Sequence, residues 1–132
     1  MFSLTVRRNF MIAHSLPRPA FGPAQGLHGA TFVTEVTFRR RTLNEDSIVL
    51  DIGEAGEVLD AILADLNYQN LDEHPDFAGK LSTTEALAEY IADAVAAKIR
   101  VGTDGQALAG IDVTLRETPD AWASYSLEFD AG

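Results

Sequence analysis

The chain has 132 residues, 46% of them apolar and 23% charged, which is one domain's worth of globular sequence with enough material for a core. A net charge of −10 excludes a nucleic-acid surface built on clustered Lys and Arg, and the absence of cysteine excludes disulfides and a thiol nucleophile. No apolar run reaches the roughly 18 to 20 residues of a membrane-spanning helix, and Met1 to Arg8 lacks the basic-then-apolar order of a signal peptide. A cytoplasmic protein with neither membrane nor nucleic-acid partner is expected.

Phe2, Leu4, Val6 and Phe10 recur on one side of an alternating run, opposite Ser3, Thr5 and Arg7, so a half-buried strand is expected up to His14. Residues 15 to 27 carry Pro17, Pro19 and Pro23 with Gly22 and Gly26, and read as a loop. From His28 to Arg40 alternation returns, with Phe32, Thr34, Val36 and Phe38 on one face and Val33, Glu35, Thr37 and Arg39 on the other. The basic run Arg39-Arg40-Arg41 is a solvated strand end beside a turn at 43 to 46. After a short extended piece at 48 to 52 the period changes. Val58, Leu59, Ile62, Leu63 and Leu66 share a helical face opposite Glu57, Asp60 and Asp65.

Residues 67 to 81 are polar, contain His74-Pro75, and read as a long connection. Ser82-Thr83-Thr84-Glu85 fits a capping box ahead of Leu87, Ile91, Ala94 and Val95 at helical spacing, and Gly102, Gly105 and Gly110 open the next loop. Ile111, Val113 and Leu115 alternate with Asp112, Thr114 and Arg116 as a third strand, and Trp122 to Phe129 makes a fourth after the turn at 118 to 120. The order is strand, strand, helix, helix, strand, strand. An α+β fold follows, a four-stranded antiparallel sheet with two helices packed on one face, as a single domain over residues 1 to 132. Val33, Tyr125 and Leu127 are left for the other sheet face, and the long outer strands need cover, which favours an oligomer.

Chemistry concentrates at the mouth of the first hairpin. Antiparallel pairing across the 15-to-27 loop puts His14 opposite His28, either as ordinary strand-end residues or as two nitrogen donors of the kind Zn²⁺ takes. Residue 30 points to the same face one pleat further on and holds an alanine, which cannot ligate. Glu117 shares the facing of Ile111, Val113 and Leu115; it is either a buried carboxylate in need of partners or a strand-end residue turned out to water. Thr83, Thr84 and Glu85 are accounted for by the helix cap, and Asn67 and Tyr68 by the end of the first helix.

Taken together these segments resemble the 6-pyruvoyl-tetrahydropterin synthase and 6-carboxy-tetrahydropterin synthase family along essentially the whole chain. Phe10-Met11-Ile12-Ala13-His14 is similar to its F-x-A-A-H, Leu27-His28-Gly29-Ala30 to its L-H-G-H and Asp51-Ile52-Gly53 to its D-F segment. Leu66-Asn67-Tyr68-Gln69-Asn70-Leu71-Asp72 resembles L-D-H-x-N-L-N/D, Ser82 to Ala88 resembles P/S-T-x-E-N-L-A, and Glu117-Thr118 matches its E-T. The resemblance implies a T-fold: trimers closing a twelve-stranded barrel, often paired as hexamers, with sites between subunits. It also implies Zn²⁺ on three histidines and a glutamate gripping the pterin ring.

Carried over, His14 and His28 are the first two metal positions and Glu117 the ring anchor, with Thr83, Thr84 and Glu85 lining the pocket as substrate-binding residues. The departures fall on the reacting groups: the third histidine is Ala30, the cysteine is Ala24, and the Asp-His pair is Asn67-Tyr68. The expectation is a divergent lyase or aldolase-type enzyme that binds a pterin-like heterocycle, with Tyr68 as catalytic acid and zinc on two of three family ligands. His74 is a further ligand option. The alternative is a non-catalytic pterin-binding or structural oligomeric T-fold protein.

Overall fold

The computed structural model describes residues 1 to 130. Strands β1 (Phe2–His14) and β2 (His28–Arg40) pair antiparallel over their whole length, from Phe2 opposite Arg40 to His14 opposite His28. The alternation read in the sequence fixes this register, since a slip of one residue would turn Phe10, Phe32, Val36 and Phe38 into water; each is at most 2% exposed. Between the strands Pro19–Gln25 forms 3₁₀ turns, tied down by the Leu16 amide donating to the Ala24 carbonyl at 3.0 Å.

Helix α1 (Ile52–Ala64) is capped by the Asp51 carboxylate, which accepts from the Glu54 amide, and it buries Ala55, Leu59, Ile62 and Leu63. The piece expected to be extended at 48 to 52 is instead a bend followed by this cap, with Val49 and Leu50 buried. Helix α2 (Thr84–Ile99) places Leu87, Ile91, Val95 and Ile99 in the core. Its cap is Thr83, whose hydroxyl accepts from Ala86, one residue later than the capping box puts it. A single turn, α3 (Thr103–Gln106), follows, made possible where Gly105 presses so close to the Ile99 carbonyl that a Cβ would overlap it. Strands β4 (Gly110–Thr118) and β5 (Ala121–Glu128) complete the hairpin that pairs with β2.

The expected four-stranded antiparallel sheet with two helices needs correction. The connection after α1 contributes a two-residue strand, β3 (Gln69–Asn70), which pairs parallel with β1, so the sheet is five-stranded and mixed, in the order β3-β1-β2-β4-β5. Three α-helices and two 3₁₀ segments, the second at Leu71–Glu73, accompany it. The physical reason is edge satisfaction. The Asn67 side-chain oxygen accepts from the Met11 amide at 2.9 Å and the Tyr68 amide donates to the Met11 carbonyl at 2.6 Å, which draws the chain along the open edge of β1.

Tyr125 and Leu127 also move. They pair with Val113 and Ile111 and pack against the core, which leaves Val33 and Trp122 with mostly charged and hydroxyl side chains on the face away from the helices. There Arg39 bridges Asp112 and Glu128, Arg116 pairs with Glu35, and the Thr5 and Thr37 hydroxyls bond at 2.7 Å. Among the described residues no helix is long and apolar enough to cross a membrane.

Candidate functional site

The hairpin end of β1 and β2, the start of α2 and the end of β4 converge on one cavity of about 270 Å³. Strand pairing supplies His14 and His28, whose ring centroids stand 4.6 Å apart at 62°. Helix capping supplies Thr83, Thr84 and Glu85 at the mouth. The ladder between β4 and β5 shifts register between Arg116 and Thr118, and Glu117 lies at that irregularity, near the end of β4. Glu117 is exposed, not buried as the facing of its strand implied; its carboxylate accepts from the Thr84 hydroxyl at 3.4 Å. A shallower adjoining hollow shares Thr84, Glu85 and Glu117 and extends to Trp122.

His14 is 3% exposed, and its Nδ1 lies 2.9 Å from the Ser82 carbonyl and 3.0 Å from the Ser82 hydroxyl. A carbonyl only accepts, so Nδ1 carries the proton and donates. Burial and then the neighbouring His28 hold its pKa below the ordinary 6.5, leaving the ring neutral. The half-buried His28 is fixed in the same tautomer by the Gly26 carbonyl, 2.9 Å from its Nδ1. Next to His14, the Ser15 amide and hydroxyl both donate to Asp72, which fastens the strand end to the segment after β3.

Six of the residues singled out in the sequence, His14, His28, Thr83, Thr84, Glu85 and Glu117, line this one cavity. Tyr68 does not join them. It is 78% exposed and lines a separate hollow with Met11, Ile12, Ala13, Gln69 and Asn70. His74 is also elsewhere, accepting from the Asp76 amide through Nδ1 and edge-on to Phe77. Leu16, Phe21 and Ala24 of the 15-to-27 loop form the apolar wall, and Ser82 orients His14. Leu16, Phe21 and the role of Ser82 go unread in the sequence, whereas Ala24 stands at the position the resemblance gives to the cysteine. A proline-rich loop gives no period from which to place Phe21, and the bond between His14 and Ser82 spans 68 positions.

Two expectations are overturned here. No group of three or more His, Cys, Asp or Glu side chains able to hold a metal exists among the described residues, so the zinc reading of His14 and His28 falls. Ala30 leaves the third position apolar and partly packed against the core, and His74 does not replace it. The lyase or aldolase reading with Tyr68 as acid falls with it. The chain has no cysteine, the ligand set is incomplete, and the tyrosine opens on a different hollow from Glu117.

Comparison with known proteins places this site in context. The model of the family "6-pyruvoyl tetrahydropterin synthase" matches residues 3–128. The 6-pyruvoyl tetrahydrobiopterin synthase of Drosophila melanogaster is 32% identical over 135 aligned residues, covering 92% of this chain and 77% of that protein. The 6-carboxy-5,6,7,8-tetrahydropterin synthase of Bacillus subtilis is 26% identical, covering 94% and 84%. Among solved structures, the Caenorhabditis elegans 6-pyruvoyl tetrahydropterin synthase superposes with a TM-score of 0.78 at 24% identity, covering 97% of this chain and 98% of that one. The Plasmodium falciparum enzyme gives 0.80 at 16% identity with the same coverage, a likeness of fold. By sequence along nearly its whole length, the chain belongs to the 6-pyruvoyl tetrahydropterin synthase family.

Proposed function

We propose that this chain is a non-catalytic family member that binds the planar ring of a pterin or related heterocycle and does so as a homo-oligomer. The observation that carries the reading is Glu117. An exposed carboxylate near the end of β4 stands beside Thr84 at the first turn of α2 and opens on the same cavity as the two histidines. A carboxylate so placed accepts two parallel N–H donors, the pattern offered by a ring nitrogen next to an exocyclic amine, and charge-assisted bonds of that kind are the strong ones. Thr83, Thr84 and Glu85 form the rim of the same mouth, and Leu16 and Phe21 give the ring an apolar wall. The relatives are named for tetrahydropterins, which supports a pterin over other heterocycles.

Titration of the chelator-treated protein with pterin tests this. Saturable binding that persists without metal, weakens about tenfold or more in Glu117→Gln and is not followed by chemical change of the pterin is the expected result. No binding, or equal binding by Glu117→Gln, would refute it. The oligomer rests on the sheet edges: β5 has one partner strand, and β3 covers only two residues of β1.

A further inference from the structure

We propose that this chain carries a second site, which takes a phosphate group, in a cavity separate from the one on which Glu117 opens. Arg18 and Lys80 line this cavity of about 400 Å³ together with Ser15, Pro17, Asp72 and Leu81, and it shares no residue with the ring cavity. Local sequence fixes where both cations stand. Arg18 lies between Pro17 and Pro19 and is extended at φ −135° and ψ 141°, as a residue before proline must be. Its amide donates to the Leu16 carbonyl at 2.7 Å, and its carbonyl accepts from the Phe21 amide at 3.0 Å. Lys80 follows Gly79, whose φ of 78° is open to glycine and strained for other residues, and its amide donates to the Phe77 carbonyl at 2.9 Å.

Carboxylates are in ample supply, with 20 acidic residues against 10 Lys and Arg. Arg8, Arg39, Arg40 and Arg116 each hold one within 3.0 Å. Arg18 and Lys80 enter no ion pair among the described residues, yet two separate loops bring them to one cavity. Two like charges so placed repel until an anion joins them. Asp72, the one carboxylate of the lining, is taken up elsewhere: it accepts from the Ser15 amide at 3.1 Å and the Ser15 hydroxyl at 2.6 Å. It offsets one cation and leaves the lining positive.

A guanidinium and an ammonium only donate, so the ligand must bring acceptors. A carboxylate is satisfied by the arginine fork alone, whereas the oxygens of a phosphate group serve both cations at once. Pro17 and Leu81 leave an apolar wall for a short organic remainder beyond the anion. A long polyanion is disfavoured by the net charge of −10 around the site.

The test is calorimetry of the full-length protein in phosphate-free buffer at low ionic strength, with inorganic phosphate, glycerol 3-phosphate and acetate as probes. Both phosphate probes should bind saturably, at least about tenfold more tightly than acetate, and should weaken as NaCl is raised. Arg18→Gln with Lys80→Gln, at two exposed positions, should weaken them about tenfold or more. Arg41→Gln with Lys98→Gln removes the same charge from exposed positions outside the cavity and should leave binding as in the wild type. Tighter binding of glycerol 3-phosphate assigns the site to phosphorylated small molecules, and equal or tighter binding of inorganic phosphate assigns it to the free ion; either supports a phosphate site. No saturable binding, acetate bound as well as phosphate, or equal losses in the two double variants would overturn the proposal. It does not rest on the ring-binding reading: a chain that binds no pterin should still bind phosphate here.

Discussion

His14 is the most constrained polar residue of the site, buried at 3% exposure with its proton donated to a carbonyl. Its folded pKa lies below 6.5, chiefly through burial. On acidification the unfolded chain therefore takes up the proton first. The His14 contribution to stability is full above 6.5 and is lost as pH falls from there through the lower folded value. An NMR titration should find the His14 ring protonating below 6.5; a midpoint at or above that value would contradict the burial argument. Tyr68 is the opposite case. Its side chain is 78% exposed, and its φ of 63° puts a bulky residue in the left-handed region, a strain of about 1 kcal/mol or more. Its amide bond to Met11 belongs to the backbone, so Tyr68→Gly should keep that bond and stabilise the fold by about 1 kcal/mol in urea unfolding. Clear destabilisation would mean that the tyrosine ring holds structure that its exposure does not reveal. Sequence pattern alone showed neither property, because the first depends on Ser82 far along the chain and the second on a backbone angle.

At the scale of elements, strands β1, β2, β4 and β5 were legible because alternation with a period of two is unambiguous when one face is buried. β3 was not. Two residues carry no period, and what recruits them is the unpaired edge of β1, a partner 56 positions from Asn67. The start of α2 was legible only to within a residue, since Ser82, Thr83 and Thr84 are all competent caps. Tertiary structure decides: Ser82 is spent on His14, which leaves Thr83 to accept from Ala86. Thr83→Ala should cost about 1 kcal/mol of stability through the lost cap. Ser82→Ala should act differently, moving the His14 titration as well, because it removes one of the two oxygens within 3.0 Å of Nδ1. If the two variants were indistinguishable in both stability and titration, the division of labour drawn here would be wrong.

For the whole molecule, the distribution of charge and edges matters more than any one contact. The polar sheet face is internally paired through Arg39 and Arg116, whereas the two sheet ends remain open. Edge pairing between copies would satisfy those backbone groups without disturbing the core. Light scattering on the eluted protein should therefore give a mass several times 14.3 kDa, and a monomer at micromolar concentration would contradict the assembly. The candidate site was legible as a set of residues, because His14, His28 and Glu117 each sit at a strand end. Its chemistry was not. Whether two imidazoles serve a metal or a ligand depends on a third donor set in space, and the described residues provide none.

In the proposed function, a cavity anchored by Glu117 binds a pterin-like ring without metal and without transforming it. Calorimetric titration of chelator-treated wild type and Glu117→Gln with pterin, with the recovered ligand analysed by mass spectrometry, tests it most directly. Saturable wild-type binding, about tenfold or more weaker binding by the variant, and ligand recovered unchanged are the expected results. Equal affinity in the two proteins, or a chemically altered ligand, would contradict it.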